Sequence, residues 1–108
     1  MQVKDFALHR TYYDQIVSGK KTHEYRDGKN DYYVNCFLNV DAYDGKTAKD
    51  IKEGLLNGTV KDLKLKGLTH LRFHNTGRMC VVEVKGIKFD RQNKLWDISL
   101  GKVLSGKV

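Results

Sequence analysis

The longest apolar alternation in the chain changes phase partway along, and that narrows what the chain can become. Residues 79–90 read as one strand, with Cys80, Val82 and Val84 on a common face. Ile87 and Phe89 continue the alternation one position out of step. Gly86 stands at the slip, where the lack of a side chain lets a strand bulge or coil. Small barrels use such bends to close, so the pattern predicts a curved sheet built around this strand.

The remaining elements fit around it. Residues 3–8 alternate as a first strand. Thr11 offers an N-cap to a two-turn helix whose stripe is Tyr12, Tyr13, Ile16 and Val17, and Gly19 ends it. Residues 22–26 place Thr22, Glu24 and Arg26 on one side of a strand and His23 and Tyr25 on the other. After a turn at 27–30, residues 32–40 read as a strand. Val34, Cys36, Leu38 and Val40 lie on one face of it, and Tyr33, Asn35, Phe37 and Asn39 on the other.

A second turn at 41–45 leads to Thr47 and Asp50, a capping box that opens a helix carrying Ala48, Ile51 and Leu55 inward and closing at Gly58. Gly54 inside that helix costs about 1 kcal/mol relative to alanine. Residues 69–74 form a strand with Leu71 and Phe73 inward, and a turn at 75–78 feeds the long strand. A hairpin loop at 91–94 leads to a last strand lined by Trp96, Ile98 and Leu100. The sum is an α+β, mostly β chain: a small, partly closed barrel of five or six strands with two or three short helices. At 108 residues it has room for one domain, 1–108, with a single core.

Composition bears on partners. Twenty Lys and Arg against thirteen Asp and Glu leave a net charge of +7, which favours polyanions over basic partners. With no proline, sharp turns rest on the ten glycines and on Asn and Asp. Cys36 and Cys80 each sit in an apolar run without a C-x-x-C spacing, as reduced buried thiols do. No apolar run reaches membrane-spanning length and the N-terminus has no signal core, so a cytoplasmic monomer without a membrane partner is expected.

Two charged constellations stand out. Gly19-Lys-Lys-Thr-His-Glu-Tyr-Arg26 packs Lys20, Lys21, Glu24, Tyr25 and Arg26 into eight positions. A solvated basic edge with weak surface ion pairs is one reading. The other is a site, with Lys21 and Arg26 on a phosphate and Glu24 accepting from a base-edge amine or orienting a water. The second constellation is His70, Arg72 and His74, a period-two row that reads as a polar outer face or as donors toward an anion. No third ligand accompanies its histidines, so neither a metal nor another cofactor is expected. Tyrosines interleaved with bases suit stacking on single-stranded nucleic acid; Tyr12 or Tyr13 belongs to the core, and Tyr25 and Tyr33 stay open.

Gly19-x-Lys21-x-x-Glu24-x-Arg26 resembles the G-x-K-x-x-E-x-R motif of the ASCH domains, a family of the PUA-like superfamily. "LHRTYYDQIVSGKKTHEYR" is similar to the family's strand, short helix and charged strand. "THLRFHN", "VVEVKGI" and "WDISLGKVL" look like its closing strands. The resemblance covers most of the chain outside residues 41–67. It implies a small barrel with rim helices and an RNA- or nucleotide-binding role for Lys21, Glu24 and Arg26, with Gly19 as hinge. Some small relatives act as hydrolases of acylated cytidines through the motif lysine, a threonine and a further glutamate, and others have been proposed to cut RNA. Here Glu24 stands where the threonine would be, so binding is expected ahead of hydrolysis by Lys21 and Glu24. A protein-interaction module with a purely structural charge network is the remaining alternative.

Overall fold

The computed structural model describes residues 1–106, with side chains through Leu104. Its elements run β1 (Val3–Ala7), α1 (Arg10–Val17), β2 (His23–Asp27), α2 (Asp31–Phe37), α3 (Ala48–Asn57), β3 (His70–Asn75), β4 (Arg78–Asp90) and β5 (Leu95–Gly106), with a 3-10 turn at Val40–Ala42. The fold class is the expected one: α+β, with five strands in one sheet and three short helices. The sheet order is β1-β3-β4-β5-β2. β1 pairs in parallel with β3, and β3 antiparallel with β4.

The described chain divides into two compact units. The first holds Met1–Glu24, Leu68–Gly86 and the chain from Ile98; the second holds Tyr25–Gly67 and Ile87–Asp97. β2, β4 and β5 each continue from one unit into the other, and β4 does so at Gly86. Cys80 and Val82 are buried before that glycine and Ile87 after it, so the inward register changes there as the alternation predicts. Gly28 reflects a different constraint: a Cβ on it would lie 2.7 Å from the Lys94 backbone, to which its N–H donates at 2.9 Å.

In the first unit, Phe6, Tyr13, Ile16, Leu71, Phe73, Cys80, Val82, Ile98 and Leu100 are buried. α1 begins at Arg10 with His9 in the cap position, so Thr11 lies in the first turn and does not serve as the expected N-cap. Tyr13 is the core tyrosine, and Tyr12 is half exposed. Burial raises the Cys80 thiol above its ordinary pKa, against hydrogen bonds to Phe73 and Tyr13, so Cys80 behaves as a small apolar side chain.

In the second unit the expected strand at 32–40 is absent, and residues 31–37 form α2. Asn30 caps it, its side chain accepting from Tyr32 N–H at 3.0 Å. Val34, Phe37 and Leu38 are buried at helical spacing, with Leu38 N–H bonded to Val34 O at 2.8 Å. The same residues satisfy a period of two through Val34, Cys36 and Leu38, and packing on α3 decides between the two. Lys52 of α3 pairs with Asp31 of α2 at 3.0 Å. The Phe37 and Phe89 rings each lie 5.1 Å, centroid to centroid, from Trp96, which is fully buried. The capping box of α3 forms as expected, and Gly58 ends the helix at φ 84°.

Gly54 has a tertiary reason. A Cβ there would lie 2.4 Å from Val60 Cγ2, because the chain after α3 folds back and Val60 N–H bonds Gly54 O at 3.0 Å. Gly54→Ala should therefore destabilise the protein by roughly 1–3 kcal/mol through overpacking, reversing the gain of about 1 kcal/mol that helix propensity alone predicts. Urea unfolding checks the sign. Val60→Ala in the Gly54→Ala background should recover part of the loss.

Candidate functional site

The end of α1 sets the position of Lys21. Ser18 N–H donates to Asp14 O, Gly19 N–H to Ile16 O and Lys21 N–H to Gln15 O, each at 3.0 Å. Gly19 adopts φ 80°, a left-handed conformation that glycine reaches without the Cβ penalty, and the helix ends there as expected. β2 then begins, and its alternation buries Glu24, leaves Arg26 half-buried and turns Tyr25 out to solvent.

Glu24 is 4 % exposed and is the only charged residue among the buried described ones. Lys21 Nζ lies 3.3 Å from Glu24 Oε1 and donates to His23 O at 2.5 Å. The lysine is also within 5.6 Å of the Tyr12 ring centroid, so its charge faces an aromatic surface as well as a carboxylate. Both groups are largely withdrawn from water, which distinguishes them from a solvated surface pair. The solvated basic edge that the sequence leaves open does not describe these two residues.

Arg26, on the same face of β2 as Glu24, belongs to the second unit. Its Nη1 donates to Tyr33 Oη at 3.3 Å, and its guanidinium carbon lies 5.8 Å from the Tyr33 ring centroid. Tyr33 in turn stacks on Phe37, with centroids 6.1 Å apart and planes 14° from parallel. The sequence leaves Tyr33 open; its helical spacing to Phe37 after an Asn30 cap is the signal that places it. Lys20 is exposed and makes no ion pair or hydrogen bond among the described residues.

His70, Arg72 and His74 do not join this group. They occupy the face of β3 opposite the buried Leu71 and Phe73, and β4 and β5 separate their strand from β2 in the sheet. The parallel register sets Asp5 beside Arg72. Arg72 grips the Asp5 carboxylate through two bonds, Nε to Oδ1 at 2.5 Å and Nη2 to Oδ2 at 3.0 Å. His74 Nε2 lies 2.6 Å from the same Oδ1, and His70 Nδ1 lies 2.7 Å from Thr69 Oγ1. Of the two readings of this row, the polar outer face describes these contacts: Arg72 and His74 engage Asp5 on the neighbouring strand, and His70 engages Thr69 beside it.

Among the described residues, no group of three or more His, Cys, Asp or Glu is placed to hold a metal ion. Cys36 and Cys80 are buried and free. No family model, curated protein or solved structure matches this chain.

Two expectations follow from the charge geometry. Lys21→Met removes the cation 3.3 Å from the buried Glu24 carboxylate and should cost about 3 kcal/mol in urea unfolding, with most of it regained in Lys21→Met/Glu24→Gln. The Asp5 network is exposed and weaker. Hydrogen bonds from Arg72 and then His74 lower the Asp5 pKa from 3.8 to about 2. A folded pKa below the unfolded one means that the stabilisation is present above pH 4 and lost as the pH falls toward 2. Because Asp5 is nearly half exposed, Asp5→Asn should cost under about 1 kcal/mol at pH 7. The gap between the two proteins should close between pH 4 and 2 in unfolding titrations.

Proposed function

We propose that the chain is an ASCH-type module that binds RNA or a nucleotide through the charged residues of β2 and the turn before it. The observation that carries this reading is the burial of Glu24 beside Lys21 in a chain of net charge +7. Removing an ion pair from water gains little stability over an apolar pair of similar volume. A buried carboxylate kept on the same face of β2 as Arg26 therefore supports a recognition role. In that role Glu24 accepts from the exocyclic amine of a base, while Lys21 sets its position. Arg26 supplies a planar donor that suits a phosphate, and the excess positive charge draws the polyanion in.

Lys21 also bears on the choice between binding and hydrolysis. Its Nζ is taken up by Glu24 and by the His23 carbonyl, and Thr22 is an exposed residue whose carbonyl accepts from Leu100 N–H at 2.8 Å. Those contacts support a positioning lysine.

Fluorescence anisotropy with short single-stranded RNAs tests the proposal. Binding should be measurable at low salt and weaken linearly on a log–log plot, with a slope near −0.7 for each phosphate neutralised. Arg26→Ala should weaken binding by about tenfold, and Arg26→Lys by less, since lysine keeps the charge but not the planar fork. Absent affinity at low salt, or affinity unchanged in Arg26→Ala, would overturn it.

A further inference from the structure

The second unit carries a depression of about 450 Å³ that none of the β2 residues line. Leu55, Leu63 and Phe89 give it an apolar surface, and Lys61, Lys88 and Arg91 are the charged residues around it. No acid lines it. Some cations of the chain do face acids: Lys52 pairs with Asp31, Arg72 with Asp5 and Arg78 with Asp14. Among the described residues, Lys61, Lys88 and Arg91 have no ion-pair partner. Three like charges beside an apolar surface repel one another, and a bound anion relieves that repulsion.

The walls are held in place. Val60 N–H is bonded to Gly54 O, and the Tyr43 hydroxyl donates to Asp62 O at 2.6 Å while accepting from Lys64 N–H at 2.8 Å. These bonds bracket Lys61 and Leu63 from both sides. Arg91 lies across Gly58, where a Cβ would come within 1.8 Å of its Nη1. Glycine at that left-handed position thus lets the guanidinium rest on the C-terminal end of α3, where the helix dipole favours a cation. An arginine lying over a helix end, two lysines and an apolar floor around a depression of this volume are the components of a site for a small amphiphilic anion.

We propose that this depression binds a small organic phosphate, with an apolar or aromatic body against Leu55, Leu63 and Phe89 and the phosphate among Lys61, Lys88 and Arg91. The inference does not depend on the function proposed for β2. Lone phosphate would meet the cations but leave the apolar surface wet, and a neutral body would forgo the charges. Affinity therefore requires both parts in one molecule.

Two-dimensional NMR titration of the full chain tests it, with adenosine 5′-monophosphate, phenyl phosphate, adenosine and inorganic phosphate as probes. The two organic phosphates should shift the signals of Leu55, Leu63, Phe89 and Arg91 saturably, and adenosine and inorganic phosphate should bind at least tenfold more weakly. Arg91→Ala and Lys88→Ala, both exposed substitutions, should each weaken the organic phosphates several-fold, while Arg26→Lys should leave these shifts intact. The proposal fails if the shifts do not saturate, if inorganic phosphate binds as well as the organic phosphates, or if Arg91→Ala and Lys88→Ala change nothing. Shifts confined to the surroundings of Arg26, absent at Leu55, Leu63 and Phe89 and lost in Arg26→Ala, would place the ligand at β2 and overturn this inference while supporting the other.

Discussion

β4, a strand of thirteen residues, contributes buried apolar side chains to both units, and its inward face changes at Gly86. Before the glycine, Cys80 and Val82 are buried in the first unit; after it, Ile87 is buried in the second. The other shared strands follow the same division. β5 gives Trp96 to the second unit and Ile98 and Leu100 to the first, and β2 passes from one to the other between Glu24 and Tyr25. Without the slip, the apolar residues after Gly86 would stand on the face that Cys80 and Val82 leave to solvent.

The charged residue on the inward row of β2 sets the chemistry. A carboxylate at 4 % exposure is disfavoured unless its charge is met, and Lys21 meets it from a backbone position dictated by the end of α1. Gly19 matters for that reason: its left-handed turn brings the chain from the helix to the strand within a few residues. Local chain geometry and burial thus cooperate to hold one lysine and one glutamate together. The Asp5–Arg72–His74 network is the contrasting case, with good hydrogen-bond geometry but solvent on one side, so its contribution is small.

Several elements are legible in the amino-acid sequence because their signals are local and have one solution. The capping box at Thr47 and Asp50, the left-handed glycines at 19 and 58, and the alternation of β3, β4 and β5 are of that kind. That Lys21 and Glu24 share one locality is legible too, since a turn and a three-residue offset bring them together, while their burial as a pair is not. The segment 31–37 is not, because Val34, Cys36, Phe37 and Leu38 satisfy both a strand and a helix. Gly54 reads as a weakness of α3, although Val60, outside the helix and its local signals, is what requires it. The acid that takes up Arg72 and His74 is hidden for a similar reason: Asp5 lies sixty-seven residues from Arg72.

The sequence alone located the five strands of the sheet and two of the helices, the turns between them, and the apolar faces of β3, β4 and β5. Those properties follow from backbone stereochemistry and side-chain alternation over a few residues. Tertiary structure decided the rest: that residues 31–37 coil, that Glu24 is buried and Tyr25 is not, and that Asp5 takes up Arg72 and His74. It also decided that Lys61, Lys88 and Arg91 gather without counter-ions. Burial and long-range charge pairing depend on which distant segments arrive, and no window of sequence contains both partners.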